Sequence, residues 1–370
     1  MLNPEKINKD MLRELPTVVK SCEAIRRNSK NPREISLSNY VKEKYAMDMP
    51  AYLTALGIEP HIDTVENLYS VRDIDTDYRW ILPEVIRQAL SLGLRKAPIW
   101  NDLIAGEIPV SQTSITMPHW NMSDATPEYV GEAETIPLGS VSFGQKKLEI
   151  RKMGKGIKIP DEVRNYVPIS ILQIFLQDFG VKLNQGIDNL LITVLINGEQ
   201  NDGSESAPII GVTNVATGIT YPDMLRLWIR MSRLGRSANK IIGGEIAANS
   251  ILNLDEFKKR YQGTPDSNLN LKTPVPQSSD FYIHGSIPSD QILVVDRSSS
   301  VLKFNARPLL VETERIVSNQ TEGTYATLTT GFGVIYRDAR ALLDGDVNFA
   351  TDGFPAWMDV DAAEGVEILD

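Results

Sequence analysis

Between Pro168 and the pair Asn197–Gly198 the chain reads ISILQIFLQDFGVKLNQGIDNLLITVLI, twenty-eight residues without a proline. Leu172, Phe175, Phe179, Leu183, Ile187, Leu190 and Val194 recur there at spacings of three and four, the period of one amphipathic helix. Pro168 suits the first turn, where its missing N–H costs nothing, and Asn197–Gly198 supplies the stop. At 1.5 Å per residue such a helix is about 40 Å long. It reads as the spine of an elongated molecule; taken alone, the segment also fits an ordinary long core helix.

The residues leading into this helix set a second constraint. SVSFGQKKLEIRKMGKGIKIP alternates locally, with Leu148 and Ile150 on one side and Lys147, Glu149 and Arg151 on the other. A turn is expected at Gly154 and Gly156, after which Ile157 and Ile159 resume the apolar side. That describes a β-hairpin, and a two-stranded ribbon is marginally stable alone. It needs a surface to lie on.

Charge is spread unevenly. The formal net charge is -10, yet residues 141 to 160 hold Lys146, Lys147, Arg151, Lys152, Lys155 and Lys158 against Glu149 alone. From Asp344 to Asp370 come eight acidic residues and no Lys or Arg. These are either two solvated surfaces of opposite sign or complementary patches on copies of one chain, an arrangement that sets register more than affinity. An acidic balance argues against a protein that coats nucleic acid with its whole surface.

The rest of the chain orders helices and strands without a regular βαβ repeat, which gives an α+β class. KDMLRELPTVVKSCEAIRRN, SLSNYVKEKYAMDMPAYLTALG and DYRWILPEVIRQALSLGLRK read as helices, the third with Ile81, Val85, Ile86, Ala89 and Leu90 in one stripe. They look like an arm that packs on something else. GEIPVSQTSITMP reads as strand and NGEQNDGSESAPIIGVTNVATG as a link. YPDMLRLWIRMSRLG reads as an amphipathic helix, and NKIIGGEIAANSILNLDEFKKRY as strand, loop and helix. QGTPDSNLNLKTPVPQSSD is a surface loop. QILVVDR, LLVETERIVS and GTYATLTTGFGVIYRDARALL are strand-like.

Catalytic signatures are missing. His61, His119 and His284 lie far apart, and EPHIDTVE, with Glu59, His61, Asp63 and Glu66, matches no zinc or calcium template and reads as a polar loop. The acidic runs DIDTD and MDVD lack the glycine and terminal Glu of a calcium loop. Gly154 and Gly156 do not extend into a dinucleotide fingerprint, and neither a P-loop nor a nucleophile elbow occurs. No cofactor, metal or enzymatic activity is expected. No stretch is apolar for the eighteen or so residues a membrane span requires. Cys22 is the single cysteine, so no intrachain disulfide forms.

The order of these features resembles the major capsid proteins of tailed bacteriophages, with the Hong Kong 97 fold. The resemblance starts at YVGEAETIPLGSVSFGQKKLEIRKMGKGIKIPDEVR, where an acidic turn and a basic extension precede an I-P-D/E-E motif and the spine helix. It continues through LLITVLINGEQNDGSESAPIIGV and ends in VLKFNARPLLVETERIVSNQTEGTYATLTTGFGVIYRDARALL, with its R-x-A-R exit. It covers about residues 80 to 346. Each piece is weakly specific; their order and spacing together are not.

The resemblance implies an N-terminal helical arm over 1–112 and an extension loop over 113–158 that lies across a neighbouring subunit. It implies a peripheral domain with the spine helix over 159–206 and 301–336, an axial domain over 207–300 and 337–346, and an acidic tail over 347–370. The six cations of the loop would make intersubunit contacts, and Leu172, Phe175, Phe179, Leu183 and Ile187 would form the core side of the spine. The function implied is self-assembly, as pentamers and hexamers, into the head shell of a double-stranded DNA phage in the host bacterial cytoplasm. Portal and head-completion proteins, and scaffolding and decoration proteins, are the implied partners, and DNA is enclosed without sequence-specific binding. An encapsulin nanocompartment is the alternative, although the arm is longer than such shells usually carry. Because the sequence opens at Met1, the arm is expected to be retained. Some relatives cross-link a loop Lys to an Asn with help from a Glu; here Asn319 and Glu322 fall out of register, so an uncross-linked shell is expected.

Overall fold

A computed structural model describes residues 81–96, 98–112, 147–199, 206–254 and 279–351, with short stretches at 41–43, 45–48, 51–52, 54, 63–64, 114–116, 119–120, 130–132, 135 and 141–142. Most of the expected arm, Glu59, His61 and Glu66 of the EPHIDTVE segment, Lys146, residues 255–278 and the residues beyond Thr351 lie outside these residues. The chain divides into two compact units, each assembled from three separate stretches. One comprises 1–98, 151–187 and 305–330, the other 99–150, 188–304 and 331–370.

The first unit is built on helix α1 (Ile81–Arg95), strand β6 (Arg151–Pro160), the short helix α3 (Asp161–Tyr166) and the beginning of α4 (Ile169–Asn197). The spine helix therefore forms as the periodicity predicts, and it closes at Gly198, whose N–H returns to Val194 O. Its start is fixed by Ile169 N–H donating to Asp63 O, beside a bridge between Thr64 and Pro168. Val85, Ile86, Ala89 and Leu90 of α1 are all buried. So are Leu172, Leu176, Phe179, Leu183 and Ile187 of α4.

Strand β6 does not turn at Gly154 and Gly156. It runs unbroken and pairs antiparallel with β12 (Thr321–Val334) over ten residues, from Thr321↔Pro160 to Thr330↔Arg151. The expected hairpin over 148–159 is thus replaced by a pairing with a strand far along the chain. The glycines serve the partner: a Cβ on Gly156 would lie 2.6 Å from the Tyr325 ring, and one on Gly154 2.7 Å from the Thr327 methyl. Tyr325 covers Gly156 and also crowds Gly323, so one aromatic ring fills the space left by two glycines. Met153, Ile157 and Ile159 alternate onto the other face with buried Ala326 and Leu328. Met153 Cε lies 3.5 Å from where a Cβ of Gly186 on α4 would be, which places the helix on this apolar face.

Strand β11 (Val301–Ile316) reaches β12 through a turn in which Gln320 takes a left-handed conformation (φ 47°). With β1 (Gly106–Pro109) these strands give the sheet order β1-β11-β12-β6, in which β6 is an edge strand among the described residues.

The second unit holds a mixed five-stranded sheet, ordered β7-β13-β10-β8-β9 (β7 Ile209–Val212, β8 Lys240–Gly243, β9 Asp280–Ile283, β10 Gln291–Val295, β13 Arg340–Asn348). Antiparallel pairs flank β10, and the outer pairs β13–β7 and β8–β9 are parallel. Helices α5 (Tyr221–Arg233) and α6 (Glu245–Leu252) bury Met224, Leu227, Met231, Ala247 and Ile251 in one cluster with Ile210, Ile241, Ile292 and Leu343. Helix α5 is capped by Asp223, whose carboxylate accepts from Thr220 N at 3.0 Å and Thr213 N at 2.9 Å. The result is α+β, without a doubly wound sheet.

Two buried groups secure the C-terminal half of α4 within this unit. Arg340, fully buried, donates through Nη1 to Val194 O (2.7 Å) and Leu195 O (2.9 Å), supplying the last turn's carbonyls. Asp188 accepts from Trp100 N at 2.9 Å, fixing the short helix α2 (Trp100–Leu103). Burial pushes the Asp188 carboxyl above its ordinary value, only partly opposed by backbone hydrogen bonds and by His284 and Lys303.

Candidate assembly surfaces

Three surfaces carry the residues that a self-associating chain would use. The first is a narrow ribbon. Strands β2 (Ser114–Thr116) and β5 (Lys147–Glu149) pair antiparallel, as do β3 (His119–Trp120) and β4 (Val141–Ser142). The registers are Ser114↔Glu149 to Thr116↔Lys147 in one pair and His119↔Ser142 to Trp120↔Val141 in the other. The paired residues are 114–116 with 147–149 and 119–120 with 141–142, and Leu148 and Ile150 are buried.

The second surface is the edge strand β6. Arg151, Lys152, Lys155 and Lys158 are all exposed along it. The residue parity of an unbroken strand puts Lys152 and Lys158 on the glycine face, and Arg151 and Lys155 on the face with Met153 and Ile159. The cations are thus on both faces of the strand rather than on one. An edge strand with lysines resists indiscriminate edge-to-edge pairing, so the row could serve solubility alone. It is equally a cationic strip available to an acidic partner.

The third surface is apolar and lies at the beginning of α4. Ile171 is 44 % exposed, Ile174 65 % and Phe175 67 %, and the nearby Tyr166 of α3 is 80 % exposed. Phe175 was expected in the core beside Leu172 and Phe179. It is not there, because the buried row of α4 runs Leu172, Leu176, Phe179, Leu183, Ile187, Leu191. At about 100° per residue its four- and three-residue steps put Ile174 on the opposite side and leave Ile171 and Phe175 on the flank between, turned to solvent. Both sides of this part of the helix are apolar, so hydrophobic spacing in the sequence could not separate them.

Among the described residues no group of three or more His, Cys, Asp or Glu is placed to hold a metal, and no helix is long and apolar enough to cross a membrane. Of the metal candidate only Asp63 is described, and its backbone carbonyl is engaged by the start of α4.

No protein-family model and no curated protein matches the chain. Among solved structures it is similar to a virus-like particle from Pyrococcus furiosus, at 10 % identity over 70 % of this chain and 98 % of that one, with a TM-score of 0.48. It is also similar to the holo-SrpI encapsulin complex from Synechococcus elongatus, at 13 % identity over 70 % and 90 %, with a TM-score of 0.47. The capsid of the cyanophage P-SCSP1u is a third such structure, at 13 % identity over 68 % and 88 %, with a TM-score of 0.46.

Proposed function

We propose that this chain is a shell-forming structural protein, the major capsid protein of a tailed double-stranded DNA bacteriophage. The observation that carries the reading is the exposed apolar face of α4 formed by Ile171, Ile174 and Phe175. Monomeric proteins seldom leave such a contiguous patch uncovered, and in a shell it becomes an interface between copies. A ribbon too thin to be stable alone and a cationic edge strand support the same reading. The order of sequence features adds the choice of a phage head among possible assemblies.

On this reading copies associate as pentamers and hexamers, residues 113–158 reach across a neighbour, and 207–300 with 337–346 gather around the capsomer centre. Portal and head-completion proteins, and scaffolding and decoration proteins where the head uses them, are the other contacts. The net charge of -10 suits a container that encloses DNA without gripping it. The chain acts in the virion after assembly in the bacterial cytoplasm, and its role is structural rather than catalytic.

Expression of the chain alone, followed by electron microscopy, tests this. Shells or capsomers are the expected result. A monodisperse monomer at high concentration would reject self-assembly, and small closed shells loaded with a host protein would replace the phage reading with a nanocompartment.

A further inference from the structure

Two surfaces of opposite charge lack a counterion among the described residues. The first is the edge strand β6. Lys152, Lys155 and Lys158 are exposed along it, spread over about 20 Å at about 3.3 Å per residue, and no described acid pairs with any of the three. The second lies in the other compact unit, where three stretches of chain meet at one corner of the five-stranded sheet. Gly345 N–H donates to Asp290 O (3.1 Å), just beyond the β10–β13 pair Gln291↔Asp344. Gly244 N–H donates to Gln291 O (2.9 Å) and Ala247 N–H to Ser289 O (2.8 Å), which brings the first turn of α6 to the same corner.

The side chains gathered there are acidic: Glu245 and Asp346, both exposed, Asp290, half-buried, and Asp344, buried. Asp344 is occupied, its carboxylate accepting from Gln291 Nε2 at 2.7 Å and from Asp346 N at 2.9 Å. The other three have no cation; among the described residues no Lys or Arg pairs with Glu245, Asp290 or Asp346. Asp290 and Asp346 instead crowd each other. The Asp290 carboxyl is pushed above its ordinary value, first by burial and then by the hydrogen bond and charge of Asp346. Like charges this close are costly until a cation reaches them.

We propose that the acidic corner formed by Glu245, Asp290 and Asp346 in one copy of this chain docks on Lys152, Lys155 and Lys158 of strand β6 in a second copy. The inference rests on the self-assembly reading above and names the surface that its cationic strip meets. Charge complementarity selects the second copy: three carboxylates without a cation face three ammonium groups without an acid, and neither set is satisfied within its own chain. Because β6 is an edge, side chains from both of its faces reach a partner lying along it. The corner is held by backbone hydrogen bonds, so its carboxylates present one fixed pattern, and such matching sets register between copies. Corner and strand are different patches, so every copy offers one of each. A contact of this kind is heterologous and runs from copy to copy, closing into a ring where the rotation allows.

Charge reversal with exchange of partners tests it on the full chain. The two variants are K155E/K158E and E245K/D346K, all at exposed positions. Circular dichroism and thermal unfolding of the dispersed subunit should match wild type in both. Alone, each variant should need at least about tenfold more protein than wild type to associate in sedimentation velocity at about 0.1 M salt, since attractive pairs become repulsive. The 1:1 mixture should associate again near the wild-type concentration, because the acidic strand of one variant meets the basic corner of the other. Should either reversal unfold the subunit, K155S/K158S and E245Q/D346N take their place. Each should then weaken association, and both together should weaken it no more than either alone; additive losses overturn the proposal. Normal association of a reversal variant, or a mixture that does not recover, also overturns it and leaves the self-assembly reading standing. A wild-type chain that stays monomeric at every concentration overturns both.

Discussion

Gly93 of α1 and Gly180 of α4 meet backbone to backbone. A Cβ on Gly93 would stand 2.1 Å from Gln177 O and 2.9 Å from the Gly180 Cα, and one on Gly180 would stand 2.5 Å from Leu90 O. No side-chain rotation relieves a clash with backbone, so the two helices can approach this closely only through paired glycines. Gly93→Ala and Gly180→Ala are each expected to lower unfolding free energy by about 1–3 kcal/mol, measured by urea denaturation. Gly186→Ala on the same helix is the contrast. Its Cβ would make an ordinary 3.5 Å contact with Met153, and the helix gains up to about 1 kcal/mol of propensity. Equal destabilisation by all three would show that close packing at 93 and 180 is not what selects glycine.

The two phenylalanines of the spine should separate folding from association. Phe179 is buried, so Phe179→Ala is expected to cost about 3–5 kcal/mol and to give insoluble or protease-sensitive protein. Phe175 is largely exposed, so Phe175→Ser should leave thermal unfolding of the dispersed subunit within about 0.5 kcal/mol of wild type while reducing assembly. Loss of solubility in Phe175→Ser would mean that this side chain is core after all.

Replacing Lys152, Lys155 and Lys158 with Ser removes three exposed cations from β6 without touching its ten-residue pairing with β12. Circular dichroism should be unchanged, and assembly yield should fall. Wild-type assembly should itself weaken with added salt, because exposed charge pairs are screened beyond about 10 Å at 0.1 M. Normal yields of the triple variant at every salt concentration would assign these lysines to solubility alone.

Asp223 gives a pH dependence with a defined sign. Burial raises its pKa, but side-chain hydrogen bonds from Thr213 and Thr220, with their backbone N–H groups, overcome this and hold it below the ordinary 3.8. Its contribution to stability is therefore present above pH 3.8 and is lost as pH falls below that toward the lower folded value. Asp223→Asn should flatten this acid limb and cost about 2–4 kcal/mol at neutral pH, since an amide cannot accept all the bonds a carboxylate does. An acid limb of unchanged slope in the variant would locate the titration elsewhere.

Shells boiled in denaturant should run as one band near 41.2 kDa. A Lys that attacks an Asn amide needs a carboxylate to take its proton. Asn319 sits in the turn between β11 and β12, and Glu322 is the strand residue opposite Ile159. A ladder of covalent oligomers would show that another Asn and another acid perform the reaction.

Much of the architecture could be read from the residues, and the exceptions share a cause. The span of α4, the amphipathic α5 and the strands β8, β10, β12 and β13 follow local periodicity, and local periodicity is what a sequence displays. The partner of β6 is not local. Gly154 and Gly156 look like a turn because the Tyr325 and Thr327 side chains that require them lie far along the chain. The recurring pattern Gly-x-Gly against Gly323-x-Tyr325 was the available signal. Phe175 was misplaced for a different reason: an exposed apolar residue on a helix obeys the same spacing rules as one facing the core. The roles of Asp188 and Arg340, a buried acid and a buried base that hold the far end of α4, had no sequence signal beyond their occurrence in otherwise apolar surroundings.

The antiparallel match between β6 and β12 also sets a timetable for synthesis. Pro160 leaves the ribosome long before Thr321, its partner in the ladder, has been translated. At about 5–20 residues per second the cationic strand and the apolar side of α4 that it should cover wait on the order of ten seconds or more for their counterpart. Neither compact unit can close on the nascent chain before β12 is made. A half-made chain therefore exposes that apolar helix side until the last strand arrives, and like charge on the lysines of β6 opposes the association of neighbouring unfinished polypeptides in the interval.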